Sequence, residues 1–515
     1  MYLTQLLHQA LQTDPDRVFT IDGERTRTVA ESAGRIARLA GALAGLGVVS
    51  GDRVAMLSLN SDRYVEYLFG VPWADAVITP INNRWSDTEI AYALAESETR
   101  VLLVDGAFST RVDGIRERYR GLDHIVYCGD DACPETMIGY EQLIAESGPA
   151  EDARRGGQEL LGLFYTGGTT GSPKGVMLSH NSVLVNALGC FTTGDWLTQH
   201  GRMLHVAPMF HLADLFLLIS GALAGHSHVT LPGFTPGGVA AAIEQHRITD
   251  VLLVPSMLQQ IVDQPDIAGF DLSSVRHMLY GTSPISESLL ERTRNLFPRA
   301  ALAQAYGMTE LAPVATILRP ADHEDPSLRR SAGRPAPHAE VRIVDEDDAE
   351  VPRGVVGEIV ARGDHVMLGY WQRPEDTATA LRGGWMHTGD AGYMDRRGYV
   401  FVVDRIKDMI VSGGENVYSA EVENVLGRHP AVASCAVIAV PDDRWGERVH
   451  AVVVRRPGQQ VTADELELFC REHIAAYKVP RSVDFVAALP LSGAGKILKR
   501  ELRKAYWSEN SRQVG

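Results

Sequence analysis

The sequence is short of the features that would place it in a bilayer, on nucleic acid or in a disulfide framework. Its longest apolar run, LADLFLLISGALAG at 212–225, contains Asp214 and falls short of the ~20 residues that span a membrane. The first residues, MYLTQLLHQALQTDPDR, have no basic leader ahead of an apolar core, so no signal peptide is expected. Basic residues are in the minority: 49 Lys and Arg against 65 Asp and Glu give a net charge of −16. That balance opposes non-specific attraction to nucleic acid or anionic lipid. The five cysteines, Cys128, Cys133, Cys190, Cys435 and Cys470, are odd in number, scattered and without metal-ligand spacing. Reduced thiols and a cytoplasmic location are expected, and Cys128 with Cys133 lacks the second pair that a zinc site needs. There is no repeat period and no low-complexity segment. Expected partners are therefore small molecules, not nucleic acid. No transmembrane segment is expected, peripheral membrane contact is left open, and the chain is expected to be a monomer or homodimer.

What is present points to a large soluble α/β protein. At 515 residues with 45% apolar content, the chain exceeds one ordinary core. Runs rich in Val, Ile and Leu recur as RVAMLSL, RVLLVDG, HIVYCG, LHVAP, DVLLVP and VRHMLYG, each followed by a stretch with helical spacing. Such alternation predicts buried parallel strands crossed by helices, a doubly wound α/β architecture. SDTE at 86–89 and TADE at 462–465 read as capping boxes that open helices. From about 340 to 404 the pattern turns to strands separated by Gly-rich turns (VRIVDEDD, GEIVARG, GYVFVVD), which predicts a small, β-barrel-like subdomain. After DRIKDMI the α/β alternation resumes for roughly a hundred residues, enough for a small domain of its own. The expected division is 1–404 and 405–515.

The most conspicuous stretch is YTGGTTGSPKGV at 165–176. Gly167, Gly168 and Gly171 allow close backbone approach, Thr166, Thr169, Thr170 and Ser172 offer hydroxyls, and Lys174 supplies a cation. It is not a Walker loop, because Lys174 follows Pro173 and precedes Gly175. On its own residues it reads either as a phosphate cradle or as a hinge. Nor does one loop make an enzyme: a single oxyanion donor is worth about 3 kcal/mol, whereas enzymes lower barriers by roughly 8–23 kcal/mol.

Further motifs supply the missing groups. PMFH at 208–211, YGTSP at 280–284, QAYGMTE at 304–310, GWMHTGD at 384–390, DRIKDMIVSGGENVYSAEVE at 404–423 and GAGKILKR at 493–500 follow the loop in order. Together the seven resemble the signatures of the adenylate-forming superfamily, which includes acyl-CoA synthetases, amino-acid adenylation domains and beetle luciferases. The resemblance implies a large N-terminal domain and a small, mobile C-terminal one, with ATP, Mg2+ and coenzyme A as cofactors. It also implies a two-step reaction, in which a carboxylate attacks the α-phosphate of ATP and a thiol then takes the acyl group.

The resemblance also assigns residues. The 166–174 loop would wrap the β- and γ-phosphates, with Lys174 neutralising them. Thr309 would meet the α-phosphate and Glu310 would bind the metal. Gly281, Thr282 and Ser283, with Ala305, Tyr306 and Gly307, would form the adenine slot, although Gly-Thr-Ser-Pro departs from the commoner Gly-Ala-Pro. Asp390 would hold the ribose hydroxyls with help from Arg405. Lys496 would reach the bridging oxygen during adenylation, in a loop (Ser492 to Lys496) that has lost one of the family's usual hydroxyls. The small domain would turn about Lys407, within a hinge at 404–408, and bring Ser412, Gly413, Gly414 and Glu415 to the pantetheine tunnel.

His211 narrows the substrate. Amino-acid activators place an Asp after the Phe of this motif, so Phe210-His211 argues against a free amino acid. No carrier domain is expected after Lys496, and coenzyme A is the expected acceptor. HLADLFLLISG, VPSMLQQ and LAPVATIL supply apolar walls, which favour an apolar tail; the same segments would look identical as plain core. Asp214 leaves two readings, a hydrogen bond to His211 or exposure to solvent. The leading expectation is a medium- or long-chain fatty acid, ahead of an aryl, arylpropenoic, benzoic or steroid-side-chain acid. A luciferase-like oxygenase is remote, since the tail SENSRQVG lacks a peroxisomal Ser-Lys-Leu. So is a non-catalytic nucleotide-binding protein.

Overall fold

The computed structural model describes residues 1–166, 173–283, 285–413, 415–442, 444–492 and 496–507. Each of the six Val/Ile/Leu runs contains a strand, and every one of them pairs in parallel with a neighbour. Two large sheets result. One has nine strands, in the order 334–335, 314–318, 301–307, 277–281, 250–252, 202–205, 227–230, 18–22 and 25–28. The other has eight, in the order 369–370, 174–179, 160–166, 77–80, 53–57, 101–104, 124–127 and 138–139. Both are parallel inside; the nine-stranded sheet is antiparallel at both edges, the eight-stranded one only at its 369–370 edge. The strand order of each jumps along the sequence, as double winding requires. Ser86 with Glu89 and Thr462 with Glu465 both form the capping boxes read from the sequence.

Two helices are buried over most or all of their length. All twelve residues of Asp62–Trp73 are buried, and this helix touches strands 18–22, 53–57 and 77–80, which belong to different sheets. A helix buried on every side has no solvent face, so its charges must be matched inside. Asp62 meets Arg25 and Arg27, Glu66 meets Arg35 and the Tyr140 hydroxyl, and Arg63 meets Glu141. The second helix, Leu212–Leu223, is buried from Leu212 to Gly221. It is the longest apolar run of the sequence, and it lies in the core. Among the described residues no helix is long and apolar enough to cross a membrane.

The 340–404 segment forms a four-stranded antiparallel sheet of 340–344, 357–362, 386–394 and 400–405. Beyond it, strands 410–412, 415–417, 432–442, 446–455 and 482–485 make a separate sheet backed by helices Ser419–Leu426, Ala463–His473 and Lys499–Arg503. This last unit has its own core, built on Ile410, Val422, Val437, Val449 and Leu466. The protein is thus a large α/β domain followed by a small one.

Tyr67 stitches the inner helix to the sheet. Its buried hydroxyl donates to the Val54 carbonyl at 2.8 Å and accepts the Thr79 N–H at 2.7 Å. Tyr67→Phe leaves those strand groups unpartnered, and each such loss costs about 1–3 kcal/mol. The variant is expected to unfold at a visibly lower urea midpoint with an unchanged slope.

Candidate active site

The parallel strands His277–Gly281 and Ala301–Gly307 end side by side, and the site begins at their carboxyl ends. Gly281 lies so close to its neighbour that a Cβ there would sit 2.3 Å from the Ala305 carbonyl oxygen. Thr282 adopts φ 65°, and its hydroxyl is buried with no partner. Ser283 follows it in the same bend. The close-packed glycine and the orphaned hydroxyl lie at the strand end next to Tyr306, where the sequence leads one to expect the adenine slot. Pro284 lies outside the described residues.

Tyr306 joins the slot to the four-stranded sheet. Its hydroxyl donates to Asp390 Oδ2 at 2.9 Å, and Arg405, the cross-strand partner of Asp390, places Nε 3.4 Å from Oδ1. Burial pushes the Asp390 carboxyl above its ordinary range, while Arg405, Tyr306, Lys496 and Lys407 oppose that push. Glu310 sits in the short turn Thr309–Leu311 with 5% exposure. Its Oε1 accepts from the Tyr370 hydroxyl at 2.9 Å. Burial again raises the carboxyl, against its own backbone N–H, Tyr370, Lys496 and Arg405.

Lys174 opens the strand Lys174–Ser179, with Nζ 3.1 Å from Asp376 Oδ2 and 5.1 Å from the centre of the Tyr370 ring. Tyr370 therefore links the two charges, carrying the cation over its face and bonding Glu310 through its hydroxyl. Tyr370 and Asp376 went unread in the sequence; the only signal was an aromatic pair before the Pro374 helix start. Thr166 ends the strand that pairs with Lys174. Residues 167–172 of the loop, Gly167, Gly168, Thr169, Thr170, Gly171 and Ser172, lie outside the described residues.

Lys496 comes from the small domain into this group. Burial, together with Arg405, lowers its ammonium to about 8, and Asp390 and Glu310 are the charges that hold it up. The same lysine and burial lower His211 to about 4. His211 caps the helix Leu212–Leu223, accepting the Ala213 N–H on Nδ1 at 3.3 Å, so its neutral ring carries the proton on Nε2. Lys496, Glu310, Asp390 and His211 thus come together, with the exposed Arg405 at their edge. Glu310 and Asp390 are the carboxylates there, and no cluster of three metal-ligating side chains occurs among the described residues. That donor set fits Mg2+ carried in on phosphates, not an all-protein cage.

Asp214 corrects both sequence readings. It is fully buried, and its Oδ2 pairs with His205 Nδ1 at 2.8 Å; His205 Nε2 in turn meets His228 Nδ1 at 2.9 Å. Its side chain neither bonds His211 nor faces solvent, because the helix turns it toward the strand Arg202–His205. Asn60 secures the same segment, donating to the His205 and Ala207 carbonyls and accepting from Met209 N–H. Residues of HLADLFLLISG, VPSMLQQ and LAPVATIL are buried in the main core.

In the small domain, Lys407 occupies the turn Ile406–Asp408, its ammonium lowered to about 8 by burial and by Arg405. Two pairs tie that turn to the last helix. Asp408 meets Arg503 at 2.8 Å, and Asp404 accepts from the Ser419 hydroxyl, to which Lys499 donates. Ser412, Gly413 and Glu415 form a hairpin turn packed on Trp445, with Gly413 N–H donating to the Trp445 carbonyl. Gly414 lies outside the described residues. Among the described residues no hydrogen bond or ion pair joins this turn to Glu310 or Asp390. The structure therefore brings together Lys174, Thr309, Glu310, Asp390, Arg405, His211 and Lys496, and leaves the 412–415 turn apart.

Comparison with known proteins matches this geometry to a family. The family model for AMP-binding enzymes matches residues 7–371, and that for the AMP-binding enzyme C-terminal domain matches 421–496. The chain belongs to the AMP-binding enzyme family. It is 41% identical over 491 residues to a feruloyl-CoA synthase from Amycolatopsis sp, covering 94% of this chain and 95% of that one. It is 35% identical over 504 residues to a long-chain-fatty-acid–CoA ligase from Thermus thermophilus, covering 95% and 92%. An anthranilate CoA ligase solved with anthranoyl-AMP superimposes with a TM-score of 0.91 at 27% identity, covering 98% and 97%. As a member of the family the protein is an AMP-forming acyl-CoA synthetase, a carboxylate–CoA ligase that uses ATP and CoA.

Gly281→Ala tests the slot. The added methyl meets backbone on the adjacent strand, so overpacking should cost about 1–3 kcal/mol, and the melting shift given by AMP should shrink or vanish. Differential scanning fluorimetry with and without AMP reads both.

Proposed function

We propose that this carboxylate–CoA ligase acts on a compact aromatic acid of the arylpropenoic type, using two poses of its small domain. The observation that carries the mechanism is the seating of Lys496 beside Glu310 and Asp390. Two anions, a carboxylate and a triphosphate, must meet in the first step, and the cleft holds cations where that charge builds up.

In the first step a substrate carboxylate oxygen attacks the α-phosphorus, the bond to the β-phosphate bridge breaks, and pyrophosphate leaves with the electron pair. Lys174 and the 166–172 loop take the β- and γ-phosphates. Thr309 binds the α-phosphate, and Lys496 meets the charge on the bridging oxygen and carboxylate. Tyr306, with the Gly281–Ser283 bend, Ala305 and Gly307, flanks the adenine, and Asp390 with Arg405 takes the ribose. Glu310 would hold Mg2+, which lowers the charge of the phosphates when bound. His211, neutral, borders the carboxylate.

In the second step the small domain turns about 404–408, and Ser412, Gly413, Gly414 and Glu415 line the path of the CoA thiol. The sulfur attacks the acyl carbon, AMP leaves, and the thiol proton passes to solvent. The acyl-adenylate is already activated, so the step needs no strong base.

The aromatic assignment draws on two supports. The feruloyl-CoA synthase relative is closer in identity than the fatty-acid ligase relative. The helix that follows His211 is solid core with the hydrogen-bonded Asp214–His205 pair inside it, which leaves little room for a long tail in that direction. The apolar segments around it favour a medium-chain fatty acid as the second reading. A CoA-thioester assay over arylpropenoic, benzoic and straight-chain acids decides. The expected result is a higher kcat/KM for arylpropenoic acids, and a preference for C8–C16 chains would reverse the assignment.

Lys496→Ala is expected to remove ATP–pyrophosphate exchange while sparing thioester formation from supplied acyl-adenylate. Its ammonium is charged below its pKa and neutral above it. Exchange by the native protein should therefore fall as pH rises through about 8.

A further inference from the structure

With Lys496 inserted, further polar contacts join the small domain to the large one among the described residues, three of them made by Arg84, Arg428 and Arg456. Arg84 Nη1 donates to the Ser492 carbonyl at 3.2 Å. Ser492 closes the base of the lysine loop: its N–H donates to the Lys496 carbonyl at 2.7 Å, and its hydroxyl accepts the Lys496 N–H at 3.1 Å. Arg84 thus grips, from the large domain, the residue that sets the position of Lys496. Arg456 Nη1 lies 3.3 Å from Asp263 Oδ1, and Arg428 Nη2 lies 3.8 Å from Glu287 Oε1.

The two carboxylates are also served from their own domain, Asp263 by Arg292 and Glu287 by Arg330. When the domains part, neither carboxylate is left bare, and the two small-domain arginines return to water. Exposed pairs of this kind are each worth about 0–1 kcal/mol. Three such contacts bias a pose without freezing it, which suits a domain that must leave in every turnover.

We infer that Arg84, Asp263 and Glu287 latch the small domain in the Lys496-inserted pose, positioning the lysine for adenylation and letting it go for thioester formation. The inference rests on the two-pose reading above. No group of the latch needs to touch substrate, so these are positioning residues.

The test is a triple variant, Arg84→Ala with Arg428→Gln and Arg456→Gln, which leaves the large-domain pairs intact. ATP–pyrophosphate exchange should fall about 5- to 10-fold, the sum of three weak contacts. Thioester formation from supplied acyl-adenylate should be unchanged or faster, and Arg456→Lys alone should keep most of the exchange rate. Raising salt should slow exchange by the native protein more than by the variant, because exposed pairs are screened. Unchanged exchange, or an equal loss in both half-reactions with a native melting curve, overturns the latch. If Lys496→Ala splits the half-reactions and the triple variant does not, the latch alone fails. If Lys496→Ala slows both equally, the two-pose reading fails and the latch with it.

Discussion

Two buried carboxylates of one domain are compensated by a cation from another, and most of the architecture follows from that. Glu310 and Asp390 are nearly inaccessible to water, so each needs a counter-charge in place. Arg405 and the hydroxyls of Tyr306 and Tyr370 supply part of it within reach of the large domain. Lys496, from the small domain, supplies the rest. Glu310 stands in the turn after strand 301–307 of the nine-stranded sheet, and Asp390 stands within strand 386–394 of the four-stranded one.

Much of this was legible in the sequence. Parallel strands buried on both faces write themselves as short unbroken runs of Val, Ile and Leu, and all six such runs became strands. Capping boxes are equally local, since the bond runs between residues three apart. Glu310, Asp390, Arg405 and Lys496 were legible through motif order, and the structure brings them together.

What escaped notice depends on packing that no local pattern encodes. Tyr370 reaches Lys174 and Glu310 only because a two-residue strand, 369–370, returns to pair with 176–177 across nearly two hundred residues of chain. Asp214 was misplaced because helical spacing says which residues share a face, and says nothing of which strand that face meets. Its partner His205 stands nine residues away on the strand before the helix. The partners of the buried charges Asp62, Arg63 and Glu66 lie up to about eighty residues off. Resemblance likewise left the acid open, because the reaction is written in a few conserved-looking strings and the tail pocket in ordinary core residues.

The pairs Asp408–Arg503 and Asp404–Ser419–Lys499 make the hinge turn and the terminal helix one stiff piece. On the two-pose reading proposed above, Lys496, three residues ahead of Lys499, is the tip of a crank arm whose shaft is that turn, so slack at the shaft would be magnified at the tip.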